Sequence, residues 1–170
     1  MANSEIIPYL ISVPDSQIDR LKQKLSLFDF PAELPTSESP PWERGPPLGD
    51  ITRLATYWRN GYDWRKQEAH LNATLPQFMT KISLENFSDY DIHFIHAKAE
   101  GLNEERAIPL LFAHGWPGSF LEVSKILPLL VKGDGKGSPK FHVVAPSLVD
   151  FGFSGPSLKV SGGYQLWWAQ

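Results

Sequence analysis

The sequence contains no cysteine. Disulfides, thiolate metal sites and cysteine nucleophiles are therefore excluded, while the absence fits any redox compartment. Long apolar runs are also missing, and none approaches the roughly 20 residues that a membrane span needs. Residues 1–5 offer neither a basic start nor a following apolar stretch, so no secretory leader is expected. Charge of one sign is scarce as well. With 16 Lys and Arg against 19 Asp and Glu, the net charge is -3, and the scattered cations give no footprint for nucleic acid or an anionic membrane surface. The expectation is a soluble, cytoplasmic protein with no membrane span. Two nucleophile frames are absent too. Neither Gly-x-Ser-x-Gly nor Gly-x-Asp-x-Gly occurs, and Gly152-Phe153-Ser154-Gly155-Pro156 comes nearest but fails at its last position.

What is present suits a globular chain: 170 residues, 42% hydrophobic and 21% charged, are enough for one sizeable core. The six tryptophans, at 42, 58, 64, 116, 167 and 168, are expected mostly in core or groove packing and not against ligands. Residues 6–13 read as an extended lead-in between prolines. A helix start follows, with Ser16 and Asp19 in capping-box spacing and Ile18, Leu21, Leu25 and Phe28 forming one apolar stripe that should pack on the body. Residues 30–48 carry six prolines and read as a loop pinned by Trp42. Asp50 is the candidate cap of a second helix, with Ile51, Leu54, Ala55 and Trp58 on one face and Gly61 as its stop. A third helix is predicted from Asp63, and a fourth from Leu75-Pro76, carrying helix to about Ile82.

Beyond that point the pattern changes. Residues 91–97 show β-type content and alternation, and are predicted as the first confident sheet strand. A turn over 101–106 leads to a second strand over 108–113. Residues 119–131 have Phe120, Val123, Ile126, Leu127 and Leu130 at helical spacing, a Gly-rich loop follows, and residues 141–146 form another apolar strand. Strand, helix, strand with this connection predicts a parallel βαβ crossover. No internal repeat or linker is read. The expected organisation is a helical segment over 1–90 that wraps the first strands of a mostly parallel sheet over 91–170, an α/β class.

The stretch around which this arrangement turns is 107–120. An apolar strand breaks at His114-Gly115, passes through Trp116-Pro117-Gly118 and resumes as helix at Ser119. Backbone N–H groups at such a turn lack partners within strand or helix, and the helix N-terminus adds a positive dipole, so the turn can hold a developing negative charge.

His114-Gly115-Trp116-Pro117-Gly118 followed by Ser119-Phe120 resembles the oxyanion-loop motif of the microsomal-type epoxide hydrolases, including soluble fungal and insect juvenile-hormone members. Upstream, Tyr62-Asp63-Trp64-Arg65, Glu68, Leu71-Asn72, Phe78 and Ile92-His93-Phe94-Ile95-His96 look like that family's N-terminal segment, so the resemblance runs over about 13–153. It implies an incomplete α/β-hydrolase fold. It also implies an epoxide substrate, no metal or organic cofactor, and a reaction in which an aspartate on a strand-to-helix elbow attacks carbon. Two lid tyrosines would protonate the ring oxygen, and a histidine paired with a carboxylate would activate water against the resulting ester. The backbone N–H of Trp116 matches the position that helps hold the ester's oxyanion, with His114, Gly115, Pro117 and Gly118 supporting the loop. The elbow, the histidine pair and the lid tyrosines have no counterpart in these residues. The sequence is therefore expected to be the front part of an epoxide hydrolase, inactive alone. A departure occurs at Val149-Asp150, where the family commonly has Pro-Gly; if the turn needs a positive φ at 150, aspartate tolerates it less well than glycine.

Rival readings of individual residues are mostly structural. His114 as a general base is less favoured than His114 packing and hydrogen bonding beneath the turn. His93 and His96, three apart on a strand, leave opposite faces and cannot share a metal ion. Asp63 can cap a helix, and Arg65 with a carboxylate makes a surface ion pair worth about 0.2–1 kcal/mol. A different class of function also fits: a non-catalytic interaction module. Without a further strand beside residues 108–113, that strand would expose an apolar edge favouring self-association.

Overall fold

Aromatic and β-branched residues crowd Tyr90–Ala97, and this stretch becomes the central strand of a five-stranded sheet. The structure is a computed structural model that describes residues 5–33, 40, 42, 43, 45–84, 89–101 and 106–156. The expected turn at 101–106 falls partly, and Trp167 and Trp168 wholly, outside the described residues, as do positions 34–39, 41 and 44 of the proline-rich loop. By contact density the described chain divides into a helical unit, Ile11–His70, and a sheet unit made of the residues before and after it.

In the sheet unit the elements are β1 (Ile6–Pro8), β2 (Gln77–Ile82), β3 (Tyr90–Ala97), β4 (Ile108–Leu111), a 3-10 helix (Phe120–Val123), α4 (Leu127–Lys132) and β5 (Phe141–Pro146). The strand order is β1-β2-β3-β5-β4. β1 pairs antiparallel with β2, β2 with β3 and β3 with β5, whereas β4 pairs parallel with β5. The parallel crossover is therefore present and the α/β class stands, but the described sheet is mixed where a mostly parallel one was expected.

Two predicted helices are corrected. The fourth helix does not form: residues 77–82 are β2, in register with β3 through Gln77 opposite Ile95 and Phe78 opposite Phe94. Pro76 disfavours helical backbone at the residue before it, and the six residues that follow satisfy their backbone across the sheet, which local spacing does not reveal. Residues 91–97 accordingly belong to the third strand. The single helix expected over 119–131 is split into the 3-10 helix and α4, with Pro128 in the first turn of α4 where its missing N–H costs nothing.

Register places Ile95, Ala97, Val143 and Ala145 on one sheet face. That face is the core: Ile95, Val143 and Ala145 are fully buried, and Val123, Leu127 and Val131 are buried beside them. β4 lies at one end of the order. Ile108 N–H donates to Lys140 O at 3.0 Å and Phe112 N–H to Val144 O at 2.8 Å, so Pro109 and Leu111 turn their backbone to the other side. Proline is tolerated there because its edge has no strand to donate to. Among the described residues no strand pairs with that side.

The helical unit contains α1 (Asp15–Leu27), α2 (Leu48–Asn60) and the start of α3 (Trp64–Thr74). α1 starts one residue before Ser16, behind Pro14, with no side-chain cap, so the expected Ser16 box is not formed. Likewise α2 starts behind Pro47 and not at Asp50, which lies in its first turn 3.5 Å from Arg53. The Leu48 N–H instead donates to Glu33 Oε1 at 2.8 Å. Gly61 ends α2 as expected, and Asp63 caps α3 by accepting from Lys66 N–H at 3.1 Å. Neither α1 nor α2 buries a residue. Their stripes line an open groove of about 840 Å³ with Ile18, Leu21, Leu25, Tyr57, Trp58 and Trp64 on its walls. Trp42 is exposed and does not pin its loop.

A charged clamp joins 13–15 to α3. Arg65 bonds Val13 O at 2.7 Å, Asp15 at 2.5 Å and Glu68 at 2.5 Å, while Glu68 Oε1 accepts from Val13 N–H at 2.7 Å and Trp64 Nε1–H at 3.3 Å. The Val13 N–H, and after it the Arg65 guanidinium, hold the Glu68 carboxyl below its ordinary value. Asp63, Arg65 and Glu68 thus serve the structural roles favoured from sequence.

Candidate functional site

The turn after β4 is built from its backbone outward. Phe112 is the last residue bonded to β5, and the chain then leaves the sheet through Ala113 and His114. It passes a cis Trp116-Pro117 peptide and reaches Ser119, whose extended backbone and side-chain oxygen cap the 3-10 helix by accepting from Leu121 N–H at 3.3 Å.

His114 sits beneath this turn, 5% exposed. Leu148 N–H donates to its Nε2 at 3.1 Å, which fixes the proton on Nδ1, and Nδ1–H donates to Gly115 O at 2.9 Å. The ring also meets Phe151 edge-on at 5.2 Å. Both nitrogens are therefore used, leaving no lone pair for a general base. One consequence concerns Trp116. Gly115 O and Trp116 N–H belong to the same trans peptide and point in opposite directions, so the His114 bond directs the Trp116 amide away from the buried imidazole. Trp116 is 69% exposed, and a Cβ built at Gly115 would meet nothing within 4 Å. The space beside Gly115 is open, and Trp116 is not among the buried core residues.

Leu148 belongs to a second loop, 147–155, which follows β5 and is pinned from below by His93. The imidazole is fully buried, with Nε2 3.1 Å from Gln77 Oε1 and Nδ1 2.9 Å from Ser147 Oγ. Gln77 Nε2 donates to Asn72 Oδ1 at 3.1 Å, which turns Oε1 to the histidine and makes Nδ1 the acceptor of the Ser147 hydroxyl. Burial pushes the His93 pKa down to about 4, so the ring is neutral at ordinary pH. His93 N–H donates to Ser154 Oγ at 3.0 Å, and the Ser154 hydroxyl donates to Ser147 O at 2.7 Å. Tyr9, Phe120 and Phe153 surround the ring at centroid distances of 5.1, 4.8 and 5.5 Å. The Tyr9 hydroxyl is itself pushed up by burial.

The second loop needs unusual backbone. Gly152 has φ +55°, and a Cβ there would stand 2.5 Å from Ser147 Oγ. Asp150 has φ 70°, the left-handed conformation for which the sequence has aspartate in place of the usual glycine. The site residues Trp116, His114, Gly115, Pro117 and Gly118 thus lie in one turn, and His114 ties that turn to the loop after β5. Sequence reasoning missed Ser147, Ser154 and Gln77. The one available signal was Gly152, a glycine in a serine-flanked loop. Among the described residues no group of three His, Asp or Glu could hold a metal ion.

A strand beside a parallel partner thus runs through a turn into a short helix, and the backbone N–H groups of the turn lie at the end of the sheet. The family described as "Epoxide hydrolase N terminus" matches residues 6–123. The chain belongs to the epoxide hydrolase family. A relative from Stigmatella aurantiaca is 41% identical over 152 residues, covering 88% of this chain and 32% of its own length. Epoxide hydrolase 1 of Sus scrofa is 38% identical over 161 residues, covering 92% of this chain and 34% of its own. The structure of Aspergillus niger epoxide hydrolase superposes with a TM-score of 0.70 at 34% identity, over 91% of this chain and 38% of that one. The chain thus spans about a third of the length of the relatives it matches, and the turn at 114–118 falls within the matched family segment. No helix among the described residues is long and apolar enough to cross a membrane.

Proposed function

We propose that this chain is the N-terminal part of an epoxide hydrolase that adds water to an epoxide to give a vicinal diol, with the Trp116 N–H as one donor of the oxyanion hole. In the proposed reaction an aspartate carboxylate bonds to an epoxide carbon as the ring C–O bond breaks, and an acid protonates the alkoxide. Activated water then adds to the ester carbonyl. The tetrahedral oxyanion collapses, releasing the diol and restoring the carboxylate. The chain holds no Gly-x-Asp-x-Gly frame to supply that carboxylate, so by itself it is inactive.

The observation that carries this reading is the His114 bond to Gly115 O, at 2.9 Å. It holds the peptide plane whose N–H is Trp116's, so the donor is oriented before any charge develops, the condition under which such donors are most effective. To test the reading, the 170-residue chain and the same chain completed by the rest of an epoxide hydrolase are each incubated with styrene oxide. Diol is expected from the completed protein alone; turnover by the short chain would overturn the proposal.

A second reading is favoured by β4. Its outer side has no strand among the described residues, and Leu111 and Ile108 are 70% and 47% exposed. Under this reading the chain alone is a non-catalytic module that self-associates along that edge. Size-exclusion chromatography with light scattering then yields a defined oligomer, and a clean monomer counts against it.

A further inference from the structure

The carboxylate of Glu122 reaches back into the turn. Gly115 N–H donates to Glu122 Oε2 at 3.5 Å, seven residues upstream. Glu122 stands three residues after Ser119, the cap of the 3-10 helix, which is capping-box spacing. A box glutamate would return to the cap residue's own N–H, whereas this one is turned to Gly115. Gly118 leaves room for the carboxylate in this position. A Cβ at Gly118 would overlap Glu122 Oε1 and stand 2.7 Å from Gly115 O. Both polar backbone groups of Gly115 are consequently taken, the N–H by Glu122 and the C=O by His114 Nδ1–H.

We infer that Glu122 is a positioning residue of the proposed oxyanion turn, holding the Gly115 N–H from the exposed side while His114 holds the Gly115 carbonyl, so that the peptide planes on both sides of Gly115, the second of which carries the Trp116 N–H, are oriented. This rests on the proposed role of Trp116, but its geometry does not depend on epoxide chemistry. Two side chains of opposite hydrogen-bonding character grip one residue from two sides. The carboxylate accepts and the imidazole donates, and loss of either frees one plane to rotate. A negative charge beside an anion cradle would oppose catalysis if it faced the reacting atoms, so its value lies in being spent on Gly115.

The test follows the Gly115 amide of the full chain by NMR, with no substrate present. Between pH 7 and 3 the response of the Gly115 resonance should be larger in the parent chain than in Glu122→Gln, and any movement common to both is not Glu122's. Amide exchange at Gly115 should rise roughly tenfold in Glu122→Ala and in Gly118→Ala, and return to the parent rate in Glu122→Gln, whose amide oxygen can still accept. Unchanged resonances at Val143 and Ala145 report that a variant is folded; if Glu122→Ala is not, the pH titration of the parent chain and of Glu122→Gln decides alone. A Gly115 amide whose pH response is the same in the parent chain and in Glu122→Gln, or whose exchange is unchanged in folded Glu122→Ala, would overturn the inference. These readouts need no turnover, so failure of the proposed activity would leave them standing, and their failure would leave the Trp116 assignment to be tested by catalysis.

Discussion

Ile95, Val143 and Ala145 are fully buried in the sheet unit, whereas neither α1 nor α2 of the helical unit buries a single residue. The sheet unit is held by apolar burial and by a buried neutral network in which His93, Gln77, Ser147 and Ser154 satisfy one another. In the helical unit, the attachment of 13–15 to α3 is held by a charged clamp in which Arg65 grips Asp15, Glu68 and the Val13 carbonyl. The contrast teaches where the site's precision comes from. The turn proposed to present the Trp116 amide sits on the unit with the buried core, although the outer edge of β4 is uncovered there among the described residues, and an open apolar groove remains in the unit whose stripes are not covered within it.

Core truncation should separate the two units most strongly. Ile95→Ala is expected to cost about 3–4 kcal/mol in urea unfolding. Ile18→Ala, on the half-open stripe of α1, should cost about 1 kcal/mol or less. Equal costs would erase the contrast.

Acid should divide the units by pH window. The folded pKa of His93 is about 4 against an ordinary 6.5, so as pH falls the unfolded chain takes up a proton before the folded one does. Stability from the neutral ring is complete above pH 6.5 and is lost progressively down to pH 4, by about 3 kcal/mol. His93→Gln should flatten the profile between 6.5 and 4.5. Glu68 acts in the other window. Its folded pKa is depressed from 4.5, so its contribution is present above 4.5 and fades below it, visible as faster exchange of the Val13 amide in Glu68→Gln. A profile unchanged by His93→Gln would show that the buried network does not hold the sheet unit.

The smallest effect sharpens the account of the second loop. Asp150→Gly should raise stability by about 0.5–1 kcal/mol, because glycine takes φ 70° without a Cβ clash. Destabilisation would mean that the aspartate side chain contributes more than its backbone conformation costs.

That same residue shows what was readable from sequence. The departure at Val149-Asp150 raised the cost of a positive φ only as a condition, which the structure meets, and the βαβ unit was legible because two apolar strands flank one stretch of helical spacing. His114 was legible as a packing and bonding residue from its place in a tight turn, but its partners Leu148 and Phe151 lie more than thirty residues on and were not. β2 was not. Phe78, Thr80 and Ile82 recur at the strand period of two, a signal the helical reading of the Leu-Pro start overrode, and pairing with β3 decides it. Nor were the caps of α1 and α2 legible, since Pro14 and Pro47 fix the entry backbone and leave Ser16 and Asp50 inside the first turn. Glu122 escaped notice because it sits in capping-box spacing yet bonds elsewhere.

The central claim is that the Trp116 amide, and not its indole, serves the reaction. It is tested most directly by comparing Trp116→Phe with Trp116→Pro in the completed enzyme, with diol formation as the readout. Trp116→Phe keeps the N–H and should retain kcat within a few-fold, whereas Trp116→Pro removes the donor and should lower kcat by about 10²–10³. Equal loss in both variants, or full activity in Trp116→Pro, would contradict the account.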